Sequence, residues 1–295
     1  MIDKIIIGTR GSQLAQIQAS EVKSLLLLKH PEVNIEIKII HTLGDKYLKQ
    51  SIGDLGGKEI FTSELEKNLV NKTIDIAVHS LKDLPSKFDK RLKYSGSLKR
   101  EDVRDVLISK TSSSLMNIPE GGIIATGSIR RKSQISSIRP DLKIVDIRGN
   151  IDTRLGKLDQ NGWDGVVLAA AALNRMSLQS KITEYLDLNI HIPAPGQGAL
   201  GLQVLDGRTD IDLLINSIID TDSTRCCLAE RFFLDRLNGN CSIPIGAYAK
   251  IDKNIFSMIG YLSDEKGRNI KYGSLNGNPK DSIDIANKLF NEINQ

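Results

Sequence analysis

Residues 123–158 read IIATGSIRRKSQISSIRPDLKIVDIRGNIDTRLGKL, and they hold two strand–helix units in succession, without an internal sequence repeat. An aliphatic run, Ile123 to Thr126, meets Gly127 and Ser128. A helical pattern follows from Ser128 to Ile138 and stops at Pro140. The second unit runs from the strand-like Lys143 to Ile147 through Gly149 and Asn150 into a helix from Ile151 to Leu158. Short aliphatic runs closed by glycine and followed by helices build open sheets with helices on both faces. In both units arginines stand where a strand gives way to a helix: Arg130 and Arg131, then Arg148 and Arg154.

The alternation extends in both directions. Lys4 to Gly8 is a short strand, and Gln13 to Lys29 carries Leu14, Ile17, Val22, Leu25 and Leu28 at helical spacing. Ile35, Ile37 and Ile39 alternate with polar residues as a half-exposed strand does. Glu59 to Val70 reads as a helix, Ile74 to Val78, Val106 to Ser109 and Gly165 to Ala169 as strands. Two segments interrupt the pattern: the charged SLKREDVR at 97–104 and HIPAPGQG at 191–198. The strand-like Ala199 to Leu205 is expected to return to the first sheet, which makes the two segments a paired hinge. Thr221 to Leu237 reads as a helix, three strand-like runs lie between Ile243 and Leu275, and Pro279 to Ile293 closes as a helix. The expected fold is two α/β domains plus a small α+β domain. Domain 1 takes residues 1–98 plus 199–218, domain 2 takes 104–192 and domain 3 takes 219–295, with hinges at 98–104 and 192–198.

Composition narrows the function classes. The 295 residues carry 40 basic and 36 acidic side chains, a net charge of +4. That balance, with only 4% aromatics, argues against a nucleic-acid binder. No apolar run approaches the ~18 residues of a membrane span. Met1 to Ile5 lacks the blocks of a secretion signal, so a cytoplasmic protein is expected. Cys226, Cys227 and Cys241 are an odd number without a zinc-like spacing, and the four histidines are scattered, so neither disulfides nor a metal is expected.

Chemistry concentrates where strands end. Arg10, Lys82, Arg130, Arg131, Arg148, Arg154 and Arg175 all follow strand patterns. Ligands of open α/β sheets bind beyond the carboxyl ends of the strands, where helix N-termini favour anions. Arginine's planar fork suits carboxylates. A set of cations aimed into an interdomain cleft suits a ligand with many carboxylates. Asp83, between Lys82 and Leu84, reads either as a turn residue or as a carboxylate that stabilises positive charge or moves a proton. Cys241 lies in a Gly/Asn-rich loop where exposure is plausible, whereas Cys226 and Cys227 read as packing residues in a helix. Trp163 reads as a turn residue packed on a helix, and His79, at a strand end, either as a structural residue or as one near the cleft. Gly56-Gly57-Lys58 lacks the spacing of a phosphate loop.

Taken together, TRGSQLA (9–15), GGKEIFTSELE (56–66), DIAVHSLKDLP (75–85), KREDVRDVLIS (99–109), TGSIRRKSQ (126–134), IRGNIDTRLGKLD (147–159), LAAAALNRM (168–176), IPAPGQGAL (192–200) and NCSIPIGAYA (240–249) resemble the porphobilinogen deaminase family over most of the chain. The resemblance implies a three-domain fold whose first two domains are like type II periplasmic binding proteins. It implies a transferase that condenses four porphobilinogen molecules, with loss of ammonia, into hydroxymethylbilane for tetrapyrrole (haem) biosynthesis. It also implies a dipyrromethane cofactor joined by a thioether to Cys241 and a catalytic Asp83. Cofactor contacts fall on Lys82, Asp83, Ser128, Arg130, Arg131 and Arg154. Substrate contacts fall on Arg10, Ser12, Lys58, Arg148, Arg154, Arg175 and Gln197. A monomer acting on a small molecule, without nucleic acid or membrane, is the expected state. The chain departs from the family pattern at Asn240, Ala172 and Phe232, none of which removes an expected reactive group. A two-lobed binding protein without chemistry is the competing reading; it needs neither Asp83 nor a modified Cys241.

Overall fold

The computed structural model describes residues 4–42, 62–237 and 243–294. Contacts divide the chain into two compact units, one of residues 1–101 with 199–228 and one of 102–198 with 229–295. The chain therefore passes between units at Glu101/Asp102, at Gly198/Ala199 and at Leu228/Ala229. The first of these points lies inside the charged segment and the second at the end of the Pro/Gly-rich one.

In the first unit, β1 (Lys4–Arg10) pairs in parallel with β2 (Asn34–Ile40) and β3 (Ile76–Ser80). The strand Leu200–Leu205, β10 in chain order, lies antiparallel between β3 and β4 (Leu92–Ser97). The sheet order is β2-β1-β3-β10-β4. Helix α1 (Gln13–Lys29) lays Ala19, Val22 and Leu26 on one face of the sheet, against Ile5, Ile7 and Val78. Helix α2 (Ser63–Val70) buries Leu65 and Leu69 on the other, against Ile74 and Ala77. Strand alternation sends Ala77 and Val78 to opposite helices.

The second unit repeats this plan. β6 (Ile123–Ala125) pairs in parallel with β7 (Lys143–Val145) and β8 (Gly165–Ala169). β5 (Asp105–Ile108) runs antiparallel between β8 and β9 (Glu184–Tyr185), giving the order β7-β6-β8-β5-β9. Helix α3 (Ile129–Ile138) packs Ile135 on Leu107, Ile124 and Val167. Helices α4 (Ile151–Gln160) and α5 (Ala170–Arg175) cover the other face through Leu158 and Leu173, and Trp163 packs there as expected.

The sheets are mixed, and the reason lies in the connections. In each sheet the reversed strand, β5 or β10, is the one that follows a connecting segment. It enters beside the carboxyl end of a parallel strand, at Asp105↔Ala169 and Leu200↔Ser80. The return of residues 199–205 to the first sheet agrees with the sequence reading. Strands β4 and β9 and helix α6 (Thr209–Asn216) escaped that reading. β4 reads LKYSGS, with Gly96 at φ +143° and an irregular register opposite Leu202/Gln203, so it shows no clean alternation.

The remaining elements are α7 (Thr221–Arg236), the antiparallel strands β11 (Ile245–Asp252), β12 (Ile255–Leu262) and β13 (Lys271–Gly277), and α8 (Ser282–Asn294). Leu289, Phe290 and Ile293 of α8 are buried, and Phe290 meets Phe233 of α7 edge-on, centroids 6.2 Å apart. This three-stranded sheet belongs to the second unit. The Ser133 hydroxyl on α3 bonds Tyr261 Oη at 2.7 Å and the Ser263 hydroxyl. Gly267, at φ +70°, presses on the Ser133 carbonyl so closely that no side chain fits there.

Residues 192–198, expected as a hinge, are densely bonded within the second unit. The Ile192 carbonyl accepts from Arg130 at 2.8 Å and Gln134 at 3.1 Å, and the Pro193 carbonyl from Ala247 N at 2.9 Å. Gly196 N donates to Glu230 Oε2 at 2.7 Å, while Glu230 Oε1 accepts from Ala249 N at 2.7 Å.

Candidate functional site

In the first unit the expected residues gather at the carboxyl ends of β1 and β3. Arg10 closes β1, and Ser12 caps α1, its Oγ accepting from Ala15 N at 3.3 Å. β3 ends at Ser80 and passes into a single 3-10 turn, Leu81–Asp83. Buried Leu81 anchors the turn: its N–H donates to Ala199 O at 3.0 Å, and its side chain packs over Gly201. Lys82 and Asp83 stay half-buried on that turn. Arg10, Ser12 and Asp83 line one recess with Gln18, Thr62 and Ser80. Its ≈ 90 Å³ is far below the roughly 300–1,000 Å³ of sites that enclose a whole small molecule. It suits one edge of a ring rather than a chain of rings.

Gln18, Thr62 and Ser80 were missed in the sequence. Gln18 Nε2 donates to Ser80 Oγ at 2.9 Å, with Gln18 only 4% exposed. The available signal was a polar residue on the apolar face of α1, beside Ala15, Ala19 and Val22.

In the second unit, Ser128 caps α3 and accepts from Arg131 N at 3.5 Å. Arg130 and Arg131, in the first turn, differ from the expectation of cations displayed to a ligand. They are 4% and 6% exposed and both grip Asp105, which is fully buried at the start of β5. Arg130 Nη1 lies 2.7 Å from Asp105 Oδ2, and Arg131 donates to Asp105 Oδ1 through Nε at 2.9 Å. The physical reason is local: the connector delivers a carboxylate beneath the helix start, and two guanidiniums close on it. Burial pushes the Asp105 carboxyl up, but Arg130 and Arg131 outweigh it and hold the group far below the usual carboxylate range. Gln197, 1% exposed, joins the cluster by donating to Asp105 Oδ1 at 2.9 Å and Val103 O at 2.8 Å. Burial pushes neighbouring His191 down to about 4, so it adds no charge at neutral pH. The buried Arg130 Nε finds no acceptor among the described residues.

Three further arginines are half-buried around the carboxyl ends of β7 and β8. Arg148 Nε donates to Asp146 at 2.9 Å, Arg154 Nε to Gly149 O at 2.7 Å, and Arg175 Nη1 to Gly198 O at 3.2 Å. Gly149 at φ +114° makes the turn, and a Cβ there would meet Thr153 at 2.7 Å. Asn150 then caps α4 by accepting from Thr153 N at 2.9 Å. Lys58 and Cys241 lie outside the described residues. Cys226 and Cys227 are buried, as packing residues should be.

Among the described residues no three His, Cys, Asp or Glu side chains form a metal-holding group, and no helix is long and apolar enough to cross a membrane. What the two units offer is cations and carboxyl-end turns.

Comparison with known proteins agrees with that chemistry. The pattern of "Porphobilinogen deaminase, dipyromethane cofactor binding domain" matches residues 5–212, and that of "Porphobilinogen deaminase, C-terminal domain" matches residues 224–295. Porphobilinogen deaminase of Clostridioides difficile is 42% identical over 286 residues, 97% of this chain and 95% of that protein. The protein of the same name from Clostridium novyi is 40% identical over 299 residues, 99% of this chain and all of the other. Among solved structures, the methionine binding protein MetQ is 11% identical, with a TM-score of 0.48 over 78% of this chain and 95% of MetQ. With both sequence patterns in chain order and relatives aligned nearly end to end, the chain belongs to the porphobilinogen deaminase family.

Proposed function

We propose that the chain condenses four porphobilinogen molecules head to tail on a dipyrromethane, releasing ammonia and, by hydrolysis, hydroxymethylbilane, and that the residues above divide the work. The observation that carries the assignment is the recess that Asp83 shares with Arg10 and Ser12 at the ends of β1 and β3. A second observation tests whether the cofactor suits this chain. The buried cluster of Arg130, Arg131 and Asp105 has an Arg130 Nε without an acceptor among the described residues, which fits a ligand bearing carboxylates.

Lys82, Ser128, Arg130, Arg131 and Arg154 would hold the dipyrromethane carboxylates, and Cys241 would attach it through a thioether. When bound, that group would supply the free pyrrole α-carbon from which the chain of units is extended. Arg10, Ser12, Lys58, Arg148, Arg154, Arg175 and Gln197 would bind the acetate and propionate of the incoming porphobilinogen. Bidentate guanidinium contacts set ring position as well as charge balance, which places reacting atoms within reach. The Asp83 carboxylate accepts from pyrrole N–H groups. It stabilises positive charge on the substrate as ammonia departs and takes up or returns a proton at its oxygens. The chain works as a cytoplasmic monomer of three domains, the third carrying Cys241.

Intact-protein mass spectrometry and a porphobilinogen consumption assay test this together. The native chain should exceed its sequence mass of 32.5 kDa by two linked pyrrole units, and Cys241→Ser should not. Asp83→Ala should keep the adduct while losing roughly 100-fold or more in turnover, the scale of general acid–base assistance. An unmodified native mass without turnover overturns the function; near-normal turnover in Asp83→Ala overturns the role of that residue.

A further inference from the structure

Three hydroxyls meet inside the second unit, and the mechanism above uses none of them. Ser133 on α3 is fully buried, Tyr261 on β12 is 3% exposed, and Ser263, just past β12, is 9% exposed. Ser133 Oγ lies 2.7 Å from Tyr261 Oη and also bonds Ser263 Oγ. Tyr261 Oη donates to Ser263 Oγ at 3.0 Å, and Ser263 Oγ donates to Asp264 O at 2.9 Å. The turn that follows closes on the same helix. Asp264 Oδ1 accepts from Lys266 N at 2.9 Å and from Arg268 N at 2.8 Å, and Gly267 sits against the Ser133 carbonyl.

The place of the cluster on helix and sheet gives it a use. Ser133 stands three residues after Arg130, so the two share a face of α3. Arg130 and Gln134 both donate to Ile192 O. On the sheet, Tyr261 pairs with Gly246 and Leu262 with Ile245, the first residues of β11. Gly246 abuts Ile192 in turn, since a Cβ there would meet the Ile192 carbonyl oxygen at 2.9 Å. The start of β11 is therefore held to α3 along two lines, through the hydroxyls and through Ile192. In the sequence that strand begins four residues after Cys241.

Apolar contacts are non-directional, whereas hydrogen bonds require particular distances and angles. Resting on the function proposed above, we propose that Ser133 is a positioning residue that acts through Tyr261 and Ser263, fixing the start of β11 on the helix whose first turn carries Arg130 and Arg131. The strand that follows the attachment cysteine thereby keeps one spacing from the guanidiniums that would hold the cofactor carboxylates. Of the three hydroxyls only that of Ser133 belongs to α3, so Ser133→Ala cuts the link between helix and sheet at one atom.

That variant strands no buried donor. Tyr261 still gives its hydrogen to Ser263, Ser263 still gives its own to Asp264 O, and alanine favours the helix. It should melt within roughly 2–4 °C of the native chain. Measured per cofactor-bearing chain, counted by intact mass, it should lose about tenfold in kcat with a smaller change in KM. Tyr261→Phe keeps the Ser133–Ser263 bond and should lose less. Amide exchange in residues 261–268, followed by mass spectrometry on the holoenzyme, should quicken in Ser133→Ala. A lower melting point with native kcat and KM would make the cluster structural only and overturn the proposal. So would an equal loss in Tyr261→Phe, or unchanged exchange in residues 261–268. The exchange needs no turnover. A native chain that consumes no porphobilinogen, while Ser133→Ala still quickens exchange, defeats the functional reading and the positioning role with it, and leaves the tie between α3 and the sheet standing.

Discussion

Asp105 shows what a single residue can decide. Its carboxylate is fully buried and depends on Arg130, Arg131 and Gln197. Removing one partner of a buried ion pair leaves uncompensated charge and costs about 3–5 kcal/mol. Asp105→Ala should therefore lower the unfolding free energy by about that amount in a urea titration, because two guanidiniums lose their counter-charge. Asp105→Asn keeps the shape and some of the hydrogen bonds, so it should cost less. Equal losses in the two variants would mean that charge is not what Asp105 contributes. Arg130 and Arg131 were readable in the sequence as cations at a helix start, but their partner was not. Twenty-five residues separate Asp105 from Arg130, and no local pattern announces the pairing.

Elements raise a different question, which is what fixes residues 192–198. Proline and glycine there suggest a pivot, yet backbone groups of this segment are bonded to α3 and to β11. Glu230 on α7 carries the clearest of these ties. Fully buried, it receives one N–H from Gly196 and one from Ala249. Glu230→Gln turns an NH₂ toward one of those donors, so one charge-assisted bond is lost at about 1.5–3 kcal/mol. The measurable outcome is a lower thermal midpoint, with amide exchange at Gly196 and Ala249 faster than at β6, where no bond to Glu230 exists. Unchanged exchange at both amides would show that the tie carries no weight. Glycine and proline reveal where a chain turns; whether the turn is then tied down depends on residues far away in sequence.

For the molecule as a whole, acid is the informative stress. Buried His191 titrates in the folded state at about 4, against an ordinary value of 6.5, because burial disfavours its charge; Asp105 and Asp187 pull the other way and Arg130 adds to the effect. Between those values the unfolded chain binds the proton and the folded chain does not. Stability therefore falls as pH drops from 6.5 toward 4, by up to roughly 3 kcal/mol from this one group. Asp105 acts in the same direction only below the ordinary carboxylate range, since its folded-state value is depressed. Denaturant melts at pH 7.5, 5.5 and 4.5 should show the decline, and His191→Gln should flatten it. A native profile level across that window would contradict a neutral buried imidazole.

Sequence by itself determined the strand–helix alternation and the cations that follow strands. These are local features, set by side-chain periodicity and by backbone groups that need partners within a few residues. The tertiary structure decided that Arg130 and Arg131 share the buried Asp105, that Gln18 and Ser80 share the recess of Asp83, and that Gln203 joins His79 to Glu66. It also decided that a reversed strand sits inside each five-stranded sheet. Such facts join residues tens to more than a hundred positions apart, and they arise because buried charge and buried amides must find partners wherever the fold brings them.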